Sequence, residues 1–315
     1  MTSADIARTK FGVHVGLQHT TPDELRPLYR HIEDLGFDWI SVWDHFYAGT
    51  GRADDPTCLE AVAMHAALAC ETHRVRCGSL VYSIGYRHPA VLAKAITTID
   101  LLSGGRADMG LGAGWADVEY TAYGIDFPTI GTRMDQLEEG IQVVRGLLHD
   151  ESTSFSGDWF EVSDARNEPR PVQHRLPIWV GGTGARRTLS IAARFADGWN
   201  APFVDPEQFV HLDGVLRRHA EEAGRDHGEI SRAVNLGLAF TEESLVEQFG
   251  ALVERVRPGV LTGSIQQVID RVGQYVDAGV DQVNLALRAP FAVESLDRFA
   301  EALDLAARHA VPARS

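Results

Sequence analysis

Two polar residues, Asp44 and His45, directly follow the apolar run WISVW, where a buried strand would end. Histidine is the side chain most easily poised to give or take a proton near neutral pH, and a neighbouring carboxylate can orient it. The alternative is structural, with Asp44 capping the next turn and His45 making a packing hydrogen bond. If His45 acts on a proton, Asp44 points to the other side of an extended chain, and we expect it to anchor a loop.

Two glycine-rich segments follow other apolar runs, GLGAGW at 110–115 and GGTGARR at 181–187. Glycine lets the main chain turn sharply and approach a ligand, and the start of a following helix offers free N–H groups to an anion. The second segment is therefore either a phosphate site or an ordinary strand-to-helix turn. The first lacks the G-x-G-x-x-G spacing, so we reject a Rossmann dinucleotide site.

Aromatic residues follow the first glycine segment: Trp115, Tyr120, Tyr123 and Phe127. They could face a flat cofactor that carries a phosphate tail, or they could form ordinary lid packing. Other chemistries lack their signatures, because no histidine pair has a third metal ligand at a sensible spacing, and neither a G-x-S-x-G elbow nor a Cys–His pairing supports a covalent nucleophile.

The remaining histidines are sorted by their positions in the pattern. His14 lies inside the first apolar run and is expected to be a satisfied core histidine, whereas His19 follows that run and is open to either interpretation. Three more are expected on helix surfaces, namely His65, His73 and His219.

Strand and helix patterns alternate along the whole chain, and they must position these groups. The eight strand candidates are 11–17, 37–43, 75–83, 107–114, 177–182, 196–202, 233–240 and 280–287. A helical pattern follows each strand; the first covers 22–36, with Thr21 as N-cap, Pro22 at its first position and Gly36 as its stop. Eight such units predict one domain over residues 1–315, a (β/α)₈ TIM barrel with its chemistry at the C-terminal strand ends.

The interval between the fourth and fifth strand candidates is longer than one strand–helix unit needs. It holds an aromatic loop at 115–128, a helix at 131–149 and a hairpin pattern, TSFSGDWFEV. We predict an insertion between strands 4 and 5 that covers the C-terminal mouth of the barrel.

Composition excludes several classes of protein. The net charge of −15 is unfavourable for binding nucleic acid or anionic membranes, and Cys58, Cys70 and Cys77 form no disulfide framework. The N-terminal stretch MTSADIARTKFG lacks a signal-peptide core, and no apolar run reaches the roughly 18 residues of a membrane span. We expect a cytoplasmic protein, a homodimer, that acts on a small organic molecule.

Together these segments resemble the luciferase-like monooxygenase superfamily, in its branch of coenzyme F420-dependent oxidoreductases. The resemblance is carried by SVWDHF (41–46), the stretch 77–115, EYTAYGIDFP (119–128), NEPRPVQ (167–173) and PIWVGGTGARRTLSIAARFADGWN (177–200). It implies coenzyme F420 as cofactor and hydride transfer between the deazaflavin and a small organic substrate. Three alternatives remain open: an FMN-dependent monooxygenase that uses reduced flavin and O₂, a non-catalytic deazaflavin-binding protein, and a sugar-phosphate isomerase or aldolase on the same barrel.

The resemblance also implies site residues. It makes Asp44 and His45 catalytic, beside the reactive face of the ring. It assigns cofactor binding to Leu80 and Val81, joined by a cis peptide, to Gly112, Ala113, Gly114 and Trp115, and to Gly181, Gly182, Thr183 and Gly184.

Two further expectations come from the same resemblance. The amides of residues 181–184 would bind the cofactor phosphate, with Arg186 and Arg187 near enough to help. Trp115 stands where F420-dependent glucose-6-phosphate dehydrogenases carry a catalytic glutamate, so we expect an apolar or aromatic substrate pocket in place of a sugar-phosphate site.

Overall fold

The structure is a computed structural model that describes residue 6, residues 8–48 and residues 55–309. Its strands are β1 (Lys10–Val15), β2 (Trp39–Val42), β3 (Arg76–Ser79), β4 (Tyr82–Ser83), β5 (Met109–Gly112), β6 (Thr153–Ser156), β7 (Glu161–Ala165), β8 (Ile178–Gly181), β9 (Gly198–Pro202), β10 (Ser231–Leu238), β11 (Val260–Leu261) and β12 (Gln282–Leu287). Its α-helices are α1 (Pro22–Asp34), α2 (Ala61–Glu71), α3 (Pro89–Ser103), α4 (Asp117–Ala122), α5 (Ile130–His149), α6 (Thr188–Phe195), α7 (Pro206–Glu222), α8 (Glu242–Phe249), α9 (Val253–Val256), α10 (Ile265–Asp277) and α11 (Val293–Ala302).

The main sheet is parallel and curls into a barrel. Its order is β3-β2-β1-β12-β10-β9-β8-β5-β4, with β11 paired to β10 alone. β3 and β4 are two segments of one barrel strand, because β3 pairs with β2 and β4 pairs with β5, and a bridge between Cys77 and Ala107 joins the two edges. Counted this way, eight strands close the barrel, which confirms the predicted fold.

Local signals set the helix boundaries. The Thr21 side chain accepts from the Glu24 amide, and the Glu24 carboxylate accepts from the Thr21 amide. Helix α1 therefore begins with a capping box, with Pro22 in its first turn. Gly36 follows that helix with φ of 91°, a conformation that glycine adopts without a steric cost. The last helix, α11, ends at Ala302, and a 3₁₀ turn at Ala306–His309 follows it.

The interval between β5 and β8 holds α4, α5 and the antiparallel hairpin β6–β7. The hairpin lies against the outer helices: Thr153 packs where a Cβ on Gly146 of α5 would stand, and the Phe160 ring meets the His88 ring at 5.5 Å. The covering role predicted for the whole insertion is therefore wrong for the hairpin. The segment before α5 does reach the strand ends, because Trp115 lines the cavity there.

Two indoles fill the barrel interior towards the N-terminal ends of the strands. The rings of Trp39 and Trp179 lie 5.8 Å apart, and they pack with Leu80 and Ala233. A Cβ at Gly198 would lie 2.3 Å from the Trp179 ring, so the strands approach these rings only because glycine stands there. The barrel interior is therefore closed at the N-terminal ends of the strands and open at their C-terminal ends.

Residues 8–48 and 55–309 contain neither a membrane-spanning helix nor a metal-binding cluster. No helix there combines the length and the apolar character that crossing a membrane requires. No group of three or more His, Cys, Asp or Glu side chains in these ranges could hold a metal ion.

Candidate active site

A cavity of about 590 Å³ opens at the C-terminal ends of the barrel strands. It is lined by most of the residues that the sequence singles out: Asp44, His45, Leu80, Val81, Gly112, Ala113, Gly114, Trp115, Gly181, Gly182 and Thr183. The fold thus brings together four separate strand ends, whereas Gly184 lies one residue beyond the lining.

His45 lies at the mouth, just after β2, with 7% of its surface exposed. Its Nδ1 donates to Glu119 Oε1 of α4 over 2.8 Å, which leaves Nε2 as the ring nitrogen available to a ligand. The rings of Trp43 and Trp115 meet the imidazole edge-on at 4.8 and 5.2 Å. The imidazole is therefore fixed in orientation by one carboxylate and two indoles.

Glu119 is buried and holds several donors at once. Besides His45, its carboxylate accepts from the Phe46 amide at 3.1 Å and from the Tyr86 hydroxyl. Burial raises the pKa of Glu119, but the hydrogen bond and charge of His45 and the Tyr86 bond outweigh it, so the pKa lies below its ordinary value. A charged carboxylate thus stands behind the imidazole.

Asp44 performs a different task from its neighbour. Its carboxylate accepts hydrogen bonds from Nη1 and Nη2 of Arg87, at 2.7 and 3.0 Å, and from the Ser83 amide at 3.0 Å. Burial raises the pKa of Asp44, while Arg87 acts in the opposite direction. Both carboxylate oxygens are engaged away from His45, so the prediction that Asp44 anchors a loop is confirmed.

The predicted cis peptide between Leu80 and Val81 is present. It separates β3 from β4, and it turns the Val81 side chain over the neighbouring strands. A Cβ at Gly112 would lie 2.5 Å from Val81 Cγ2, and one at Gly181 would lie 2.8 Å from Val81 Cγ1. Glycine at these two strand ends therefore makes the space in which the valine forms part of the cavity floor.

The loop after β8 offers free amides, although not all of those predicted. The Gly182 amide donates to the Asn200 carbonyl at 3.0 Å, so its predicted contact with a phosphate is wrong. In the described chain, the amides of Thr183, Gly184 and Ala185 donate to no acceptor, and the Thr188 side chain at the start of α6 lines the cavity. The amides of this loop that are free to meet an anion therefore begin at residue 183.

Arg187 does not assist that loop. Its Nη2 lies 2.7 Å from Asp135 Oδ1 and 3.3 Å from Glu138 Oε2, both on α5. The charge of Arg187 is committed to these carboxylates, so the expectation that it helps a phosphate is wrong.

Residues 5–255 match the family model of the luciferase-like monooxygenases. The chain belongs to the luciferase-like monooxygenase family. A relative from Kineococcus radiotolerans, named F420-dependent glucose-6-phosphate dehydrogenase, is 31% identical over 240 residues, which cover 74% of this chain and 69% of that protein.

Solved structures share the fold of this luciferase-like protein. An F420-dependent secondary alcohol dehydrogenase, in complex with an F420–acetone adduct, superposes with a TM-score of 0.84 at 20% identity, covering 95% of this chain and 99% of that one. The coenzyme F420-dependent tetrahydromethanopterin reductase of Methanopyrus kandleri gives 0.74 at 19% identity, covering 93% and 98%. At these identities the likeness is one of fold.

In this luciferase-like protein, three of the four predicted aromatics are packing residues. Tyr120 is buried against Phe127 and Tyr86, and Tyr123 stacks on Phe46 at 4.4 Å. Among the four only Trp115 lines the cavity, with half of its surface exposed. The lid-packing interpretation is therefore right for Tyr120, Tyr123 and Phe127.

The histidine predictions had mixed outcomes. His65 is fully buried with Nδ1 2.9 Å from the Tyr82 hydroxyl, so its predicted surface position is wrong. His14 is buried as predicted, with Nδ1 2.9 Å from Ser41 Oγ, but it also lines the cavity. Burial first, and then the charges of Arg288 and His45, hold the pKa of His14 well below its ordinary value, so this ring is neutral. His19 pairs with Asp55 outside the cavity.

Several cavity residues carry no signal in the sequence. Asn200 and Asn235 each present a buried side-chain oxygen without a hydrogen-bond partner in the described chain. The charged side chain of Arg288 and an apolar wall complete the lining, the wall consisting of Met134, Leu137, Phe203, Val204, Phe249, Leu252 and Val256. These groups converge only because the barrel closes.

Proposed function

We propose that this protein is an oxidoreductase that binds coenzyme F420 in the mouth of its barrel and serves hydride transfer to or from a small organic substrate. The observation that carries the proposal is His45, held by Glu119 in the cavity that contains the cis-peptide bulge. The named activities of the Kineococcus relative and of the alcohol dehydrogenase support it.

The residues of the cavity fit a flat cofactor with a phosphate tail. Gly112 and Gly181 keep the floor beside Val81 free of side chains, and a Cβ at either would collide with the valine. The free amides that begin at Thr183 suit a phosphate, and the unpaired oxygens of Asn200 and Asn235 suit ring or ribityl donors. We assign cofactor binding to these groups.

The chain's own residues then divide the remaining work. When bound, the deazaflavin supplies the hydride chemistry. His45 holds or moves a proton at Nε2, while Glu119 fixes the tautomer through Nδ1 and stabilises the charged ring. Trp43 and Trp115 keep the imidazole in one orientation and exclude water from it. Asp44 acts as a positioning residue through Arg87.

The substrate of this cavity has an apolar or aromatic body. Trp115 borders His45 where a glutamate would be needed for sugar-phosphate oxidation, and the wall around Met134, Phe203 and Phe249 is apolar. We therefore do not extend the glucose-6-phosphate activity of the named relatives to this chain.

The variant His45→Ala tests the proposal. Turnover, followed by F420 absorbance with a panel of small alcohols and carbonyl compounds, should fall by about 10²–10⁴, with F420 affinity kept within a few-fold. His73→Ala, an exposed histidine, is the matched control and should behave as the parent. Unchanged turnover in His45→Ala would remove this residue from the mechanism, and a parallel loss of affinity would make it a binding residue.

We also propose that the protein acts in the cytoplasm as a homodimer. Cys58, Cys70 and Cys77 are free thiols, which suits a reducing compartment. Exposed apolar side chains at Val91 and Leu102 on α3 offer a surface for a second copy. Light scattering of the purified protein at increasing salt tests the dimer, and a monomer mass would refute it.

A further inference from the structure

Arg288 is a buried cation at the end of β12, with 3% of its surface exposed. Its Nη1 donates to the carbonyl oxygens of His14 and Leu287, both at 3.2 Å, and the guanidinium lies 4.1 Å from the centroid of the Trp43 ring. The same residue lines the cavity. In the described chain, Nε has no hydrogen-bond partner and no carboxylate lies within ion-pair distance of the guanidinium.

Burying a charged guanidinium in this position costs free energy. Burial of a charge without a counter-ion disfavours it, and here burial lowers the pKa of Arg288 to about 9. The two buried carboxylates of the mouth do not compensate it, because Asp44 is bound by Arg87 and Glu119 by His45. The cavity therefore contains an uncompensated positive charge that a ligand can neutralise.

The geometry of the side chain restricts that ligand. Because Nη1 is engaged by two backbone carbonyls and Nε is buried, Nη2 is the nitrogen left for an acceptor in the cavity. A charged N–H donor at Nη2 suits an anionic oxygen, because a hydrogen bond between a guanidinium and a carboxylate is charge-assisted. The neighbouring Trp43 and the apolar wall suit an apolar or aromatic body attached to the carboxylate.

We propose that the substrate of this cavity is an organic carboxylate, bound through a carboxylate oxygen to Nη2 of Arg288. The inference rests on the proposed function only in taking this cavity as the substrate cavity. It leaves the proton at His45, after β2, and assigns recognition of the anion to Arg288 at the end of β12, with only β1 between the two strands. Arg288 is therefore a binding residue that selects charged over neutral substrates.

Direct binding to the apo-protein tests the proposal without turnover. Benzoate and its neutral counterpart benzamide are titrated by tryptophan fluorescence and by calorimetry into the parent, Arg288→Met and Arg288→Lys. Arg255→Met is the matched control, because Arg255 is an exposed cation at the rim of the same cavity, 5.9 Å from the Trp115 ring.

Benzoate should bind the parent more tightly than benzamide. Arg288→Met should weaken benzoate binding about 10- to 100-fold, the range for charge-assisted hydrogen bonds, and Arg288→Lys should lie between. Arg255→Met should stay within about twofold of the parent, since exposed charges contribute little. Benzamide binding should be equal in all four proteins.

Melting temperature separates binding from a structural role. Removing an uncompensated buried charge should leave the Tm of Arg288→Met equal to or above that of the parent. Saturating benzoate should raise the Tm of the parent and of Arg255→Met, and should leave that of Arg288→Met unchanged. Failure of benzoate to bind the parent, or equal binding by Arg288→Met, would overturn the proposal.

A parallel F420 titration separates the two proposals. Arg288→Met should bind F420 as the parent does. If this variant instead loses F420 affinity and keeps benzoate affinity, the anion belongs to the cofactor, and the substrate proposal is refuted while the proposed function stands. If the parent does not bind F420, the proposed function is refuted, and the benzoate titrations then test the carboxylate site by themselves.

Discussion

Replacing Glu119 with glutamine is the sharpest test of how His45 is controlled. The glutamine can still accept from the Phe46 amide and the Tyr86 hydroxyl, so the local fold should survive. It cannot offer a negative charge to the imidazole, and its amide NH₂ can donate to Nδ1 and move the proton to Nε2. The perturbation therefore acts on the charge and the tautomer of His45, with little change in packing.

The size of the effect follows from the contact. The bond between His45 Nδ1 and Glu119 Oε1 is 2.8 Å long, and both side chains are buried. A hydrogen bond to a charged group contributes about 1.5–3 kcal/mol, so turnover in Glu119→Gln should fall by about 10- to 150-fold. F420 affinity should stay within a few-fold, because the carboxylate does not line the cavity.

The assay is kcat and KM for the loaded enzyme across a pH series, together with an F420 titration. Because the variant removes the buried carboxylate behind the imidazole, the pH profile of kcat should differ from that of the parent. Tyr86→Phe is the control, since it removes a donor from the same carboxylate but leaves its bond to His45. Parental turnover and an unchanged pH profile in Glu119→Gln would refute a positioning role for Glu119.

Four further predictions concern stability and the floor of the cavity. Arg87→Met leaves the buried carboxylate of Asp44 unpaired and should lower the free energy of unfolding by about 3 kcal/mol in urea denaturation; a loss below about 0.5 kcal/mol would contradict this. Gly112→Ala places a Cβ 2.5 Å from Val81 Cγ2 of the cis peptide, so it should weaken F420 binding more than it lowers Tm. Gly214→Ala lies inside α7 with open space around the added Cβ, so it should raise the free energy of unfolding by about 0.5–1 kcal/mol. Burial lowers the pKa of His65 to about 4, so below the unfolded-state pKa of 6.5 the unfolded chain binds a proton that the folded chain does not. The contribution of His65 to stability is therefore complete above pH 6.5, and the free energy of unfolding should fall by about 3 kcal/mol towards pH 4. In acid denaturation, His65→Gln should largely abolish this loss.

Local rules were sufficient for much of the fold. Alternating apolar runs predicted the eight barrel strands, and Thr21, Pro22 and Gly36 predicted the limits of the first helix, because caps and turns depend on neighbours in sequence. The hairpin was found in sequence, but its docking against α5 depends on side chains such as Phe160 meeting another helix.

The candidate site was predictable only in part. His45 and the glycine strand ends follow from where strands stop, and the cis peptide followed from the resemblance. Glu119 lies 74 positions from His45, and barrel closure alone decides that the two side chains meet. The same holds for Arg187, whose pairing with Asp135 was invisible in sequence. Partners that are distant in sequence need the tertiary structure.

The most direct test of the central claim is the affinity of the purified apo-protein for its cofactor. F420 and FMN are titrated separately by fluorescence, with Gly112→Ala as a variant of the proposed floor. We expect the parent to bind F420 at least about tenfold more tightly than FMN, a difference of about 1.4 kcal/mol, and the variant to lose most of the F420 affinity. Binding of FMN with no binding of F420 would contradict the account.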